Sequence, residues 1–175
     1  RNIPYSTVVT AMEGNGVTYG IKVSGCGNQW FTATAPRLEG ELVASDVKAE
    51  DILPWIGDSC MLEAVGLGGS AAAAAPAVLR SQGLSWMDGI ERTRNAEQIT
   101  LARHESYLIP ALDYQGSPLG IDIRKVLRTG LEPVIHGGMI STTGKRLGAG
   151  VAHVPMGCFE AAVLGYGERY GLTDE

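Results

Sequence analysis

The sequence predicts an α+β fold, and three observations carry the prediction. Strand-rich runs joined by turn signals crowd the start, helix signals fill the middle, and both kinds mix in the last third. The expected architecture is an antiparallel strand meander followed by helices and a mixed α/β C-terminal third. It is read as a single α+β domain over 1–175.

Residues 7–12 and 17–23 are rich in β-formers and flank Glu13-Gly14-Asn15-Gly16, where Asn-Gly signals a hairpin. Gly25-Cys26-Gly27-Asn28 makes the next turn, and 29–34 alternates as a third strand. Between 35 and 55 the signals weaken into loop, punctuated by Pro36 and Pro54. Asp58 or Ser59 can cap a helix over 60–65, and 71–81 continues helical with Pro76 kinking or restarting it. Ser85 with Asp88 reads as a capping box opening a helix that runs to about His104, with Trp86, Ile90, Ala96 or Glu97, and Leu101 as an incomplete stripe.

Residues 107–114 are strand-like and broken by Pro110, and 123–128 is a short helix closed by Gly130. Residues 133–140 and 151–154 read as strands. Pro155 then opens a last helix whose Phe159, Val163, Tyr166 and Tyr170 share a face.

Composition narrows the function. With 45% hydrophobic and 19% charged residues the chain can build a core, so disorder is not expected over most of it. Its 24 glycines in 175 residues are about twice the usual ~7%, which implies many tight turns and close backbone approaches. A net charge of −5 without a basic cluster argues against nucleic acid. The longest apolar run, 71–79, falls short of the ~20 residues of a membrane span, and no signal peptide follows Arg1. Three widely spaced cysteines, Cys26, Cys60 and Cys158, suit a reducing compartment, and the cytoplasm is the expected location. They and the three histidines lack metal-ligand spacing, so no metal is expected. The absence of an initiator Met points to a fragment of a longer chain.

Three constellations could carry chemistry. In the first, 56–70, Asp58 precedes a turn of helix bearing Glu63, and Gly66, Gly68, Gly69 and Ser70 could offer backbone N–H groups to an anion. The plain alternative is that Asp58 caps, Glu63 is solvated and the glycines permit close packing. Gly66, Gly68 and Ala71 also match G-x-G-x-x-A with Asp88 and Glu91 downstream, but the strand–turn–helix setting of a dinucleotide site is missing.

The second, 109–124, presents Asp113, Asp122 and Arg124 around two prolines and two glycines. Arg124 could grip a carboxylate or phosphate bidentately; equally, Asp122 could cap a helix and pair with Arg124 as structure. The third, 135–150, is glycine-rich with His136 at a strand end, either an acid–base group or a satisfied strand-edge histidine.

Together these segments resemble the AllG/YlbE-like proteins. The resemblance rests on 56–69, on the I-P-A-L-D-Y-x-G-x-P-x-G-I-D-I-R-K-V-L-x-T-G run, on Gly148-Ala149-Gly150, and on Pro155-Met156-x-Cys158-Phe159-Glu160. The opening N-G-V-x-Y-G-I-x-V-S-G run from Asn15 and Trp30-Phe31-Thr32-Ala33 are similar too. The match corresponds to the C-terminal part of a family member. It implies a subunit of heteromeric oxamate carbamoyltransferase, which in anaerobic allantoin breakdown (purine catabolism) converts oxalurate and phosphate to oxamate and carbamoyl phosphate. The expected ligands are then a small anionic substrate and phosphate, and the expected partners are other subunits; no cofactor is named. On this reading Glu63, Asp113 and His136 are the candidate catalytic residues. Asp58, Gly66, Gly68, Gly69, Ser70, Asp122 and Arg124 are the candidate substrate-binding ones. The competing expectation is a non-catalytic assembly or ligand-binding module.

Overall fold

The computed structural model describes residues 2–43 and 48–172. Its first sheet grows from the N-terminal hairpin, in which β1 (Val9–Asn15) turns into β2 (Thr18–Val23) and β2 pairs with β3 (Trp30–Thr34). Asn15 tightens the turn by accepting from the N–H groups of Val17 and Thr18 at 2.9 and 2.8 Å. The expected meander is present, with β1 extended to Asn15. A two-residue strand, β5 (Ile56–Gly57), completes the antiparallel order β3-β2-β1-β5.

A second sheet corrects two expectations. The stretch 35–55 contains β4 (Glu39–Leu42), which pairs with β9 (Arg146–His153), itself paired with β8 (Val134–Ile140). Residues 44–47 of that stretch lie outside the described residues. Because Glu39 meets Val151, no local signal could reveal β4. The glycine-rich run after Ile140 is correspondingly less loop than expected, since β9 begins at Arg146.

The two sheets meet over Trp55, which is 1% exposed. A Cβ at Gly14 on the first sheet would come within 2.8 Å of the Trp55 ring, and one at Gly137 on the second within 2.7 Å. Only glycine lets both sheets close on the indole. Tyr19 meets the ring edge-on at 6.1 Å, and Met12, Ile21, Ile135 and Met139 complete the buried centre. Each large apolar side chain removed from water there stabilises by roughly 1.5–3 kcal/mol.

The last helix, α5 (Met156–Tyr170), follows Pro155 as expected and covers the first sheet with Cys158, Phe159 and Ala162 fully buried. Of the expected face, Phe159 joins the core, whereas Tyr166 and Tyr170 turn to the N-terminal segment. The Tyr166 hydroxyl donates to the Tyr5 carbonyl at 2.8 Å, and the Tyr170 ring stacks on Tyr5 at 4.4 Å.

Between the sheets in sequence lie α1 (Met61–Ala64), a 3-10 run Gly68–Ala74, α2 (Pro76–Ser81) and α3 (Trp86–Ile99). Neither Asp58 nor Ser59 caps α1: its N-cap is Cys60, without a side-chain bond. The expected helix over 71–81 restarts at Pro76, and the capping box forms, with Ser85 and Asp88 bonded reciprocally.

α3 stops at Ile99 rather than near His104, because Thr100 begins β6 (Thr100–Ile109) and pairs with Ile121 of β7 (Gln115–Ile121). Its buried face keeps Ala96 of the incomplete stripe but not Trp86 or Leu101. Gly89, Thr93, Ala96 and Ile99 are buried, while Trp86 is exposed. Small residues win because the 3-10 run lies against the helix, and Thr93 Oγ1 accepts from the Ala73 N–H at 3.0 Å. Finally α4 (Ile123–Thr129) is closed by Gly130 in the left-handed conformation, as expected. No helix of the described residues is long and apolar enough to cross a membrane.

Candidate functional site

The segment after β5 turns sharply at Asp58–Cys60, and one turn of α1 carries Glu63 inward, where it is 2% exposed. Its Oε1 accepts from the Gly69 N–H at 2.9 Å and from the His136 N–H at 3.0 Å. Its Oε2 is buried and has no hydrogen-bond partner among the described residues. Burial pushes the Glu63 carboxyl up to about 7, against the pull of the Gly69 and His136 N–H groups. A carboxyl with one anchored oxygen and one free oxygen, poised near neutrality, suits acid–base work.

Two glycines of 66–70, Gly68 and Gly69, serve this carboxyl. A Cβ at Gly68 would stand 2.1 Å from Glu63 Oε1, and one at Gly69 would stand 2.1 Å from the Val134 carbonyl. The run was expected to offer free N–H groups to a ligand anion, but Gly69 is occupied by Glu63 and the Ser70 N–H donates to Leu67 O at 3.2 Å. The anion that the Gly69 donor serves is the protein's own side chain. Gly66 instead lets the chain pass Pro118, whose carbonyl would lie 2.6 Å from an added Cβ. Ser70 is buried, and its hydroxyl donates to the Glu63 carbonyl at 3.4 Å.

His136 contributes its backbone to Glu63, while its ring feels the Arg92 charge. Its Nε2 is buried without a partner, and burial together with the Arg92 charge lowers the imidazole, which keeps it neutral. Close by, the Ser117 hydroxyl is also buried and unpartnered, 3.2 Å from where a Cβ on Gly66 would sit.

The remaining expected residues do not join this cluster. Asp122 is fully buried. It accepts from the Arg124 and Lys125 N–H groups at the start of α4 and from Thr7 Oγ1 at 2.8 Å. Arg124 turns back onto it, with Nη2 2.9 Å from Oδ2 and Nε 3.2 Å from Oδ1. Burial pushes the Asp122 carboxyl up, but the Arg124 guanidinium and the Thr7 hydroxyl outweigh it and hold it below the usual carboxylate range. The structural alternative for this pair is therefore the observed one, and Arg124 is not free to clamp a substrate in this conformation. Asp113 is exposed in a left-handed turn, and Asp58 is exposed beside α1.

Beside the Glu63 cluster lies a cavity of about 350 Å³. Gly69 and Ser70 form one wall, Arg92, Asn95, Ala96 and Ile99 of α3 another, and the Gly130–Val134 segment with His153 closes it. Sequence reading missed Arg92 and Asn95. Their signal was weak: they flank the small-residue stripe of α3, which could be seen only once that stripe was known.

Residues 1–59 match the AllG family, described as oxamate carbamoyltransferase subunit AllG. The chain is 42% identical to the uncharacterized protein YahG of Escherichia coli K12 over 98% of its length. It is 38% identical to oxamate carbamoyltransferase subunit AllG of the same strain over 95%. A crystal structure of a conserved protein of unknown function from Enterococcus faecalis V583 superposes with a TM-score of 0.89, at 38% identity over 95% of this chain. The chain spans only 37–40% of the length of these relatives.

Proposed function

The chain matches the AllG family over residues 1–59 and is 38% identical to AllG over 95% of its own length, and from that premise we propose that it forms part of a carbamoyltransferase subunit in a cytoplasmic heteromeric enzyme. The reaction proposed is oxalurate plus phosphate to oxamate and carbamoyl phosphate. It breaks the bond between the carbamoyl carbon and the oxalurate nitrogen and forms a bond from that carbon to a phosphate oxygen. One proton passes from phosphate to the departing nitrogen.

The observation that carries the reading is the Glu63 carboxyl. Poised near 7, anchored through Oε1 and free at Oε2, it has the proton affinity to relay that proton at neutral pH. His136, neutral with a free Nε2, is the second group of the relay.

The ion pair of Arg124 with Asp122 favours a second reading, an assembly module whose partners carry the chemistry. One experiment separates the two. The full-length protein, assembled with its partner subunits, is assayed for carbamoyl phosphate from oxalurate and phosphate, wild type against Glu63→Gln. A still-assembled Glu63→Gln enzyme that loses at least about a hundredfold in kcat supports the transferase role. An unchanged kcat leaves the assembly reading.

A further inference from the structure

The cavity beside Glu63 is lined by a guanidinium that forms no ion pair among the described residues. Arg92 is partly buried, and one guanidinium nitrogen, Nη1, donates to Gln82 Oε1 at 2.9 Å. No carboxylate of the described residues lies within ion-pair distance of it. Asp88 acts on it only at a distance, because its carboxylate accepts from the Ser85 N–H and hydroxyl, both at 2.7 Å. Its remaining N–H donors are available to a ligand, and the planar fork of a guanidinium matches a carboxylate.

The facing wall has the opposite character. Glu132 lines the same cavity, and its Oε1 accepts from the Met156 N–H at 2.9 Å, which fixes the side chain while Oε2 keeps its acceptor capacity. Asn95 stands on the Arg92 side, its Oδ1 engaged by Gln98 at 3.2 Å, which leaves its amide N–H groups to donate. The space therefore combines cationic and amide donors on α3 with an anionic acceptor on the segment before β8. At about 350 Å³ it falls within the range of small-molecule sites, about 300–1,000 Å³.

We propose that this cavity binds a small carboxylate that also bears amide or ureido N–H groups, with Arg92 taking the carboxylate and Glu132 the N–H end. The assignment deepens the carbamoyltransferase reading and rests on it for the substrate class. A bare phosphate satisfies Arg92 but meets repulsion at Glu132, so the two-ended ligand is the better match. The Gly69–Ser70 turn links this cavity to Glu63: the Gly69 N–H donates to the Glu63 carboxyl and the Ser70 hydroxyl to the Glu63 backbone carbonyl.

The test is calorimetric titration of oxamate into the full-length protein assembled with its partner subunits, with acetate and inorganic phosphate as separate arms. The expected result is oxamate binding that weakens at least about tenfold in Arg92→Gln and several-fold in Glu132→Gln. Arg94→Gln, on an exposed face of the same helix, is expected to leave affinity unchanged. Acetate, which lacks N–H groups, should bind more weakly than oxamate and ignore Glu132→Gln. Asn95→Asp guards against misfolding of the Arg92 variant, since a new charge in the cavity should repel the ligand in a protein that still folds. Oxamate affinity indifferent to both Arg92→Gln and Asn95→Asp, or no oxamate binding by the wild type, overturns the proposal. The transfer assay fails independently. Arg92-dependent binding without carbamoyl phosphate formation keeps the site and removes the reaction, whereas transfer unaffected by Arg92→Gln keeps the reaction and removes the site.

Discussion

The Glu63 carboxyl and the His136 N–H, 73 positions apart in sequence, are joined by a 3.0 Å hydrogen bond that fastens the short helix α1 to the edge of the second sheet. Since the same oxygen also holds Gly69, the ionisation of one side chain is tied to the placement of three segments.

That tie makes stability depend on pH in a defined direction. Glu63 rises from 4.5 to about 7 on folding, so between those values the folded protein keeps a proton that the unfolded chain has released. Stability is then fully present below about pH 4.5 and declines until about pH 7, by about 3 kcal/mol. Thermal melting across this range should show the decline in the wild type and a flatter profile in Glu63→Gln. A decline of equal size in the variant would assign it to another group.

The glycines around Glu63 should be far less replaceable than those in open turns. Gly69→Ala drives a Cβ to 2.1 Å from the Val134 carbonyl, and the expected cost is about 2–4 kcal/mol. Gly144→Ala meets nothing within 4 Å and strains only its positive φ of 79°, for about 1 kcal/mol. Urea denaturation of both variants checks the ordering, and equal midpoints would contradict the close approach.

Asp122 and Arg124 should be unequal partners. Asp122→Ala strips a fully buried carboxylate of its bonds to Thr7 and the start of α4, at an expected cost of about 3–5 kcal/mol. The Arg124 side chain is 65% exposed, so Arg124→Ala should cost under about 1 kcal/mol. Denaturation of the single and double variants measures the pair, and a larger loss from Arg124→Ala would return that residue to a role beyond the ion pair.

The thiols are expected to be inert in the folded state. Burial pushes Cys60 up to about 11 and Cys158 to about 12, and it raises Cys26 as well. A thiol reagent at pH 8 should therefore label all three only as fast as the protein unfolds. Rapid labelling without denaturant would contradict their burial.

Features written in neighbouring residues could be read from the sequence. Asn15-Gly16, the Ser85–Asp88 box and Gly130 each act through partners a few residues away, and each appeared where expected. Features decided by distant partners could not. The run from Thr100 looked like the tail of α3 because its strand character comes from pairing with Ile121 and Leu119. Glu63 stood out as an acid in a glycine-rich setting, yet whether it was solvated depended on His136 and on packing. Arg124 stood out for its neighbours, and its nearest neighbour proved to be its partner.

The stack of Tyr5 on Tyr170 carries a consequence for engineering. Tyr5 donates its N–H to the Tyr170 hydroxyl at 2.9 Å, while that hydroxyl donates to the Gly25 carbonyl at 2.8 Å. Positions 5 and 170 therefore lie side by side although 165 residues separate them. A fluorophore placed at one of them would report on the other, because the tyrosine stack ties the N-terminal segment to the end of α5.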